Sequence, residues 1–172
     1  MTTSGTATPD TCKECAAPRK ELRAYDADVV DYLNAAQSAF HCVSEVTARL
    51  VKHGFEVLDE RKAWPIKPNG KYIVTRNGSS LCAFAVGGKF DAETSGAICV
   101  GAHTDSPCPK LKPVSRLEKS GNTMLGVVGY GGGLWHTWFD RELTLAGVVI
   151  VKEANGSFSK RLVFVRRPLL RV

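Results

Sequence analysis

The sequence has no apolar run near the roughly 20 residues that are needed to span a bilayer. Its opening residues, MTTSGTATPD, also lack the basic and apolar regions of a secretory signal peptide. These two absences argue against a spanning or exported protein. We therefore expect a cytoplasmic chain with no membrane partner.

A disulfide framework and a structural zinc site are also poorly supported. Cys12 and Cys15 form one CxxC pair in a polar segment, and no second pair is present to complete four zinc ligands. The remaining cysteines are scattered, and three of them lie in apolar patterns that are typical of reduced, buried thiols. The four scattered cysteines are Cys42, Cys82, Cys99 and Cys108.

Acidic residues are missing from residues 159–172, which hold five basic ones, so this run supplies most of the net charge of +6. Such a run can bind phosphates. Here, however, the basic residues alternate with apolar residues, and Phe164 is the one aromatic residue among them. A sheet face with solvated charges or acidic partners is favoured, and no nucleic-acid partner is expected. The basic residues are Lys160, Arg161, Arg166, Arg167 and Arg171.

The 172 residues are sufficient for one domain, or for one domain and part of another. Order is expected from about Asp26, after a flexible leader at residues 1–25. Apolar residues then recur at helical spacing up to Leu50, and Gly54 is a helix stop, so one or two helices should end at His53. We expect His41 and His53 to be solvated or to cap this helix.

Strand patterns follow the helical segment. Two β-rich runs flank Asn77 and Gly78, which favour a tight turn, and this pattern predicts a hairpin. The apolar run 97–102 lacks alternation and predicts a strand covered on both faces. Beyond Pro113, a glycine-rich bend and alternating strands around residues 155–156 predict a separate β-rich unit.

The segment GAHTDSPC places His103 and Asp105 immediately after the predicted strand 97–102. In open α/β sheets, ligands and catalytic groups gather at the carboxyl ends of strands. A histidine that binds a metal needs an acceptor for its second ring nitrogen, and Asp105 is placed to be that acceptor if the chain stays extended. A histidine satisfied within an ordinary turn is an equally good interpretation of these residues alone.

Four longer segments carry a resemblance to a known family. They are GAHTDSPC, KYIVTRNGSSLCAFAVGGK, YGGGLWHTWFDRELTLAGVVIVK and RRPLLRV. Together they closely resemble the aspartyl aminopeptidases, dinuclear zinc exopeptidases that remove acidic residues from peptide N-termini. The resemblance extends from about Val29 to Arg171.

The resemblance implies roles for two residues. The family's zinc-binding histidine matches His103, and the aspartate that supports it in the catalytic site matches Asp105. Two zinc ions are expected in a complete subunit, with the remaining ligands and the catalytic glutamate supplied by segments that this sequence does not contain. His136 and Asp140 are four residues apart like a ligand pair, but they match an inserted domain, and we interpret them as structural.

The resemblance also implies a fold class and a domain organisation. It implies an α/β fold: the start of a zinc-aminopeptidase α/β sandwich domain at 26–109, then a linker and the first part of an inserted β-rich dimerisation domain at 110–172. We expect a homo-oligomer of twelve subunits, peptides with an acidic N-terminal residue as substrates, and a cytoplasmic or vacuole-like location.

The strand pattern runs to the last residue, so we expect the chain to be an incomplete N-terminal portion that is inactive by itself. The alternative is an inactive interaction module that associates with full-length homologues. The later carboxylates fall in regions that resemble the linker or the insertion, and we do not expect them to act as metal ligands. They are Glu118, Asp140, Glu142 and Glu153.

Overall fold

The computed structural model describes residues 19–171, which fall into two units divided between Asn34 and Ala35. Helix α1 (Arg19–Ala35) begins before Asp26, where order was predicted to start. The remainder of the predicted leader, with Cys12 and Cys15, lies outside the described residues. Neither helix of the described region combines the length and apolar character required for a membrane span.

Helix α2 (Ala39–Lys52) begins and ends at residues that satisfy its free backbone groups. Ser38 is the N-cap, and its side chain accepts a hydrogen bond from the backbone N–H of His41. His53 is the C-cap, and Gly54 follows with φ 83°, a left-handed conformation that suits glycine. The predicted helix end and the capping role of His53 are therefore confirmed.

A three-stranded sheet follows α2 and provides three of the five buried apolar residues of the described region. Its order is β1-β2-β3, with β1 parallel to β2 and β2 antiparallel to β3. Helix α2 packs against β3. The strands are β1 (Glu56–Leu58), β2 (Lys71–Arg76) and β3 (Ser80–Ala85). The buried apolar residues in the described region are Cys42, Val43, Leu58, Tyr72 and Ile73.

The turn between β2 and β3 has the predicted conformation. Asn77 has φ 55° and Gly78 has φ 71°, and the N–H of Ser79 donates to the carbonyl oxygen of Arg76. Two successive residues with positive φ match the right-handed twist of the flanking strands. The predicted hairpin is confirmed.

The remaining strands form antiparallel pairs. Strand β4 pairs with β5, β6 with β9, and β7 with β8. The turn of Asn155 and Gly156 joins β7 to β8, as predicted. The elements are β4 (Cys108–Lys119), β5 (Asn122–Tyr130), a 3-10 helix (Trp135–Trp138), β6 (Glu142–Leu143), β7 (Ala146–Lys152), β8 (Phe158–Phe164) and β9 (Leu170–Arg171).

The β4–β5 hairpin occupies sequence that was interpreted partly as a linker. Its turn contains Ser120 at φ 52° and Gly121 at φ 74°. The register is interrupted between Leu111 and Arg116 and then resumes. Two of its residues, Cys108 and Tyr130, face each other at the open end, and Cys108 follows Asp105 by three residues.

The strand predicted at 97–102 is absent, so this prediction was wrong. The segment is irregular, and Ile98 and Val100 are 99% and 95% exposed. Its apolar pattern indicates burial between neighbouring strands and covering layers. The described residues provide neither, because β1, β2 and β3 form no ladder with it.

The cysteines are only partly as predicted. The described residues form no disulfide. Cys42 is buried in α2, whereas Cys82 and Cys99 are exposed. Cys99 lies in the irregular 97–102 segment, so its exposure has the same origin as that of Ile98.

Two residues of the basic run at the end of the chain, Arg161 and Arg171, pair with acidic side chains. Arg161 of β8 contacts both carboxylate oxygens of Glu153 at 2.8 and 3.1 Å. Arg171 of β9 lies 3.5 Å from Glu142 of β6. The hydroxyl of Ser159 also donates a hydrogen bond to Glu153. This bond is the larger cause of the lowered pKa of Glu153, and the bond from Arg161 is the smaller one.

Replacing Gly78 by Ala should destabilise the β2–β3 hairpin by about 1 kcal/mol, because an L-residue is strained in the left-handed conformation. The added Cβ would be 4.0 Å from Phe40, an ordinary contact, so the cost comes from the backbone. Amide hydrogen exchange in β2 and β3 measures it. Gly87→Ala is the matched control, since no atom lies within 4 Å of its added Cβ. Equal protection in the two variants would contradict the expectation.

Replacing Glu153 by Gln should remove an acid-sensitive contribution to the β7–β8 hairpin. Because the pKa of Glu153 lies below its ordinary value of 4.5, the ionised carboxylate stabilises the fold above that pH. This contribution is lost as the pH falls through the lowered pKa. Amide protection factors in β7 and β8, followed from about pH 6 to about pH 3, report the loss.

The control for this experiment is Glu56→Gln, on β1, which should retain the acid sensitivity of the β7–β8 hairpin. If the protection factors of the wild type and of Glu153→Gln decline in parallel, Glu153 does not have this role.

Candidate functional site

The candidate site is centred on His103 and Asp105. The Nδ1 atom of His103 lies 3.1 Å from Oδ1 of Asp105. An ionised carboxylate only accepts, so this contact favours a hydrogen on Nδ1, and in the neutral imidazole Nε2 then has its lone pair free. The His103 side chain is 90% exposed, which leaves Nε2 accessible to a ligand. The contact that the sequence predicts is present, and the metal-binding role of His103 stays a prediction.

Asp105 accepts a second hydrogen bond through its other oxygen. The hydroxyl of Tyr130 lies 2.5 Å from Oδ2, a distance typical of an O–H donor bound to a charged carboxylate. This bond, followed by the one from His103, lowers the pKa of Asp105. The same bond and the charge of Asp105 raise the pKa of Tyr130, which keeps its proton. The carboxylate is thus ionised and held at both oxygens.

The register of the β4–β5 hairpin brings Tyr130 to this position. Tyr130 is the last residue of β5 and pairs with Cys108, the first residue of β4, three residues after Asp105. The Nζ atom of Lys110 lies 3.4 Å from the centroid of the Tyr130 ring and covers that face. The sequence alone did not identify Tyr130, because its function depends on this pairing.

A further contact fixes the segment between His103 and Asp105. The hydroxyl of Thr104 donates to the carbonyl oxygen of Ser79 at 2.8 Å. Ser79 belongs to the β2–β3 turn, so the site is attached to that turn on one side and to the β4–β5 hairpin on the other. Residues 101–105 line a shallow, open concavity.

The glycine-rich bend after Tyr130 packs closely on its surroundings. A Cβ on Gly129 would lie 2.9 Å from the Trp135 indole, which is closer than carbon atoms normally approach. Gly131 has φ 77°, and a Cβ there would lie 3.2 Å from Pro107. Both flanks of Tyr130 therefore require glycine for steric reasons.

His103 and Asp105 have the arrangement of one metal ligand and the acceptor that orients it. The described residues do not form a complete metal site. An imidazole with one nitrogen bound to a carboxylate and the other accessible is the usual arrangement of a metal-binding histidine. No group of three or more His, Cys, Asp or Glu side chains suited to a metal ion is found within residues 19–171. His136 and Asp140 are exposed side chains of the 3-10 region, so His136 is not packed in a core.

Three of the four later carboxylates pair with arginine side chains. Glu118 lies 2.9 Å from Arg116, within the same strand. Glu142 and Glu153 pair with arginines of facing strands. A larger concavity is lined by Glu60, Trp64 and residues of β2 and β3, and it does not include His103.

Comparison with solved structures establishes the class of fold. The chain is similar to a subunit in the cryo-EM structure of the Ape4 and Nbr1 complex, with a TM-score of 0.83 and 39% identity over 91% of this chain. It is also similar to the S. cerevisiae mApe1 dodecamer, with a TM-score of 0.79 and 30% identity over 88% of this chain. The fold is thus the mixed α/β fold of aminopeptidase structures.

The family follows from the sequence comparison. The peptidase M18 family, described as aminopeptidase I zinc metalloprotease, matches residues 32–172, and the chain belongs to this family. A probable aspartyl aminopeptidase of Ricinus communis is 49% identical over 150 residues, or 86% of this chain. The chain spans about 30% of the length of that relative, 30% of the matched chain in the Ape4 and Nbr1 complex and 36% of the matched chain in the mApe1 dodecamer.

Replacing Gly131 by Ala should displace Pro107 and destabilise the bend by about 1 to 2 kcal/mol, because the new Cβ adds left-handed strain to a close contact. Urea unfolding measures the free energy, and NMR shifts of Pro107 report the displacement. Gly132→Ala is the neighbouring control, since nothing lies within 4 Å of its Cβ. Indistinguishable stabilities and Pro107 shifts in the two variants would rule out this steric requirement.

Proposed function

We propose that the chain provides one zinc ligand and its orienting carboxylate to a metallo-aminopeptidase that releases N-terminal acidic residues from peptides. His103 is the ligand through Nε2, and Asp105 orients it through Nδ1. The observation that carries this proposal is the 3.1 Å hydrogen bond between them in a chain of the M18 family. The similarity to a probable aspartyl aminopeptidase of Ricinus communis supports the acidic specificity.

The chemistry of such a site divides between the metal and the protein. Zinc, when bound, polarises a carbonyl group and lowers the pKa of bound water. The role of this chain is to fix the imidazole tautomer and to hold the ring, through Asp105 and the contacts that secure Asp105. The exposure of His103 leaves room for a substrate and for further ligands.

We further propose that the other ligands, the catalytic glutamate and the basic group that recognises an acidic side chain belong to the part of the family's length that this chain does not span. Two observations support this proposal. The chain spans 30% of the length of the Ricinus communis relative, and His103 is the single candidate ligand that the described residues bring to the site. Two zinc ions in a complete subunit and the start of a β-rich dimerisation domain at 110–172 belong to the same proposal.

We propose a homo-oligomeric assembly as well. One solved relative is an mApe1 dodecamer, which supports twelve subunits for proteins that carry this segment. The exposed apolar side chains of β5 and β7, including Val127 and Ile150, are compatible with contacts to other chains. A cytoplasmic location, or a vacuole-like one, remains part of this proposal.

A second candidate is an inactive module that associates with full-length homologues. It is favoured by the absence of a three-ligand cluster within residues 19–171, combined with the exposed apolar strands. Co-purification of the 172-residue chain with a full-length aspartyl aminopeptidase would support this candidate. Separate elution of the two proteins would contradict it.

The proposed zinc site is tested in a chimera that places residues 32–172 in the Ricinus communis relative. We expect zinc binding and cleavage of peptides with N-terminal Asp or Glu in preference to Leu. Asp105→Ala should weaken zinc affinity about 10- to 100-fold, because the ligand loses its acceptor. His103→Ala should have a larger effect, because the ligand itself is removed. Zinc content and cleavage rate are both measured.

His136→Ala is the matched control in this chimera, since His136 is also an exposed histidine. It should keep both zinc and activity. Retention of full zinc content and cleavage by the His103→Ala chimera would overturn the proposed function.

A further inference from the structure

The phenol of Tyr130 contacts the candidate site from the end of β5. It is the one side chain outside the His103–Asp105 pair that has a hydrogen bond to Asp105 in the described region. Its contact differs in kind from an ordinary surface hydrogen bond, because it joins residues 25 positions apart at 2.5 Å.

We propose that Tyr130 is a positioning residue that selects the Nδ1–H tautomer of His103 by fixing the rotation of the Asp105 carboxylate. Oδ2 is held by the phenol, so Oδ1 is directed toward Nδ1 of His103. Without the phenol, the carboxylate of Asp105 can rotate about its side-chain bonds. Water then competes with the imidazole of His103 for both carboxylate oxygens. The positioning role of Tyr130 rests on the proposed function only in its consequence: the selected tautomer leaves Nε2 of His103 free to bind a metal.

The phenol is itself held in place, as a positioning residue must be. The backbone of Tyr130 is fixed by pairing with Cys108, and the ammonium group of Lys110 covers one face of the Tyr130 ring. On either side, Gly129 fits against Trp135 and Gly131 against Pro107. The direction of the hydroxyl is therefore set by a hairpin rather than by a flexible loop.

The proposal predicts a change that a purely structural role of Tyr130 does not produce. Tyr130→Phe removes only the hydroxyl group. The aromatic ring at position 130 and the backbone pairing of β5 are retained. The ratio of the Nδ1–H to the Nε2–H form of His103 should fall roughly threefold or more, the change expected from the loss of even a weak net hydrogen bond. It should approach the ratio of His136, an exposed histidine that serves as an internal reference.

The measurement is long-range proton–nitrogen NMR on the 172-residue chain labelled with ¹⁵N-histidine. It is made at about pH 8, above the ordinary histidine pKa of about 6.5, so that the imidazoles are neutral. Tyr25→Phe is the matched control, because it removes a phenol oxygen from a 72% exposed side chain of α1. Amide shifts of Val128 and Gly129 report whether β5 remains paired.

A lower Nδ1–H fraction in Tyr130→Phe, with unchanged β5 amides and an unchanged Tyr25→Phe spectrum, supports the proposal. A tautomer ratio equal to that of the wild type overturns it. A changed ratio accompanied by loss of β5 pairing also overturns it, because Tyr130 then acts by holding the strand.

The experiment separates this inference from the proposed function. If wild-type His103 carries its proton on Nε2, then the ligand role of His103 is wrong. If wild-type His103 carries it on Nδ1 and Tyr130→Phe does not alter that, then only the role of Tyr130 is wrong.

Discussion

The carboxylate of Asp105 lies between an imidazole and a phenol, and each of its oxygens accepts one hydrogen bond. The remaining features of the site serve this arrangement. The β4–β5 register positions the phenol of Tyr130, the glycines beside it allow close packing, and Thr104 fixes the intervening backbone. Because His103 is highly exposed, its orientation depends on directional bonds rather than on burial.

Much of the local structure was predictable from residue type and spacing. Ser38, His53 and Gly54 mark the boundaries of α2, and the residue pairs at 77–78 and 155–156 mark two turns. The contact between His103 and Asp105 was also predictable, because residues two apart can share a face in an extended chain. These features depend on near neighbours, which the sequence displays directly.

Features that depend on distant partners were not predictable in the same way. The run 97–102 has the composition of a buried strand, yet Ile98 is exposed because burial requires elements that the described residues do not provide. Tyr130 was missed because the β4–β5 hairpin was not predicted. Its turn at Ser120 and Gly121 has a dipeptide typical of turns, but regular pairing from that turn would place Tyr130 opposite Leu111; the register shift between Leu111 and Arg116 brings it opposite Cys108.

The attachment of the site at two points has a consequence for the order of folding. The bond from Thr104 to Ser79 and the bond from Tyr130 to Asp105 each span 25 residues. Closing either span without internal order costs chain entropy, whereas a hairpin that has already formed shortens the effective distance. The β4–β5 hairpin lies within the span from Asp105 to Tyr130, whereas the span from Ser79 to Thr104 holds β3 and residues 86–104 without helix or strand. We therefore expect Asp105 to orient the imidazole only once the β4–β5 hairpin has formed.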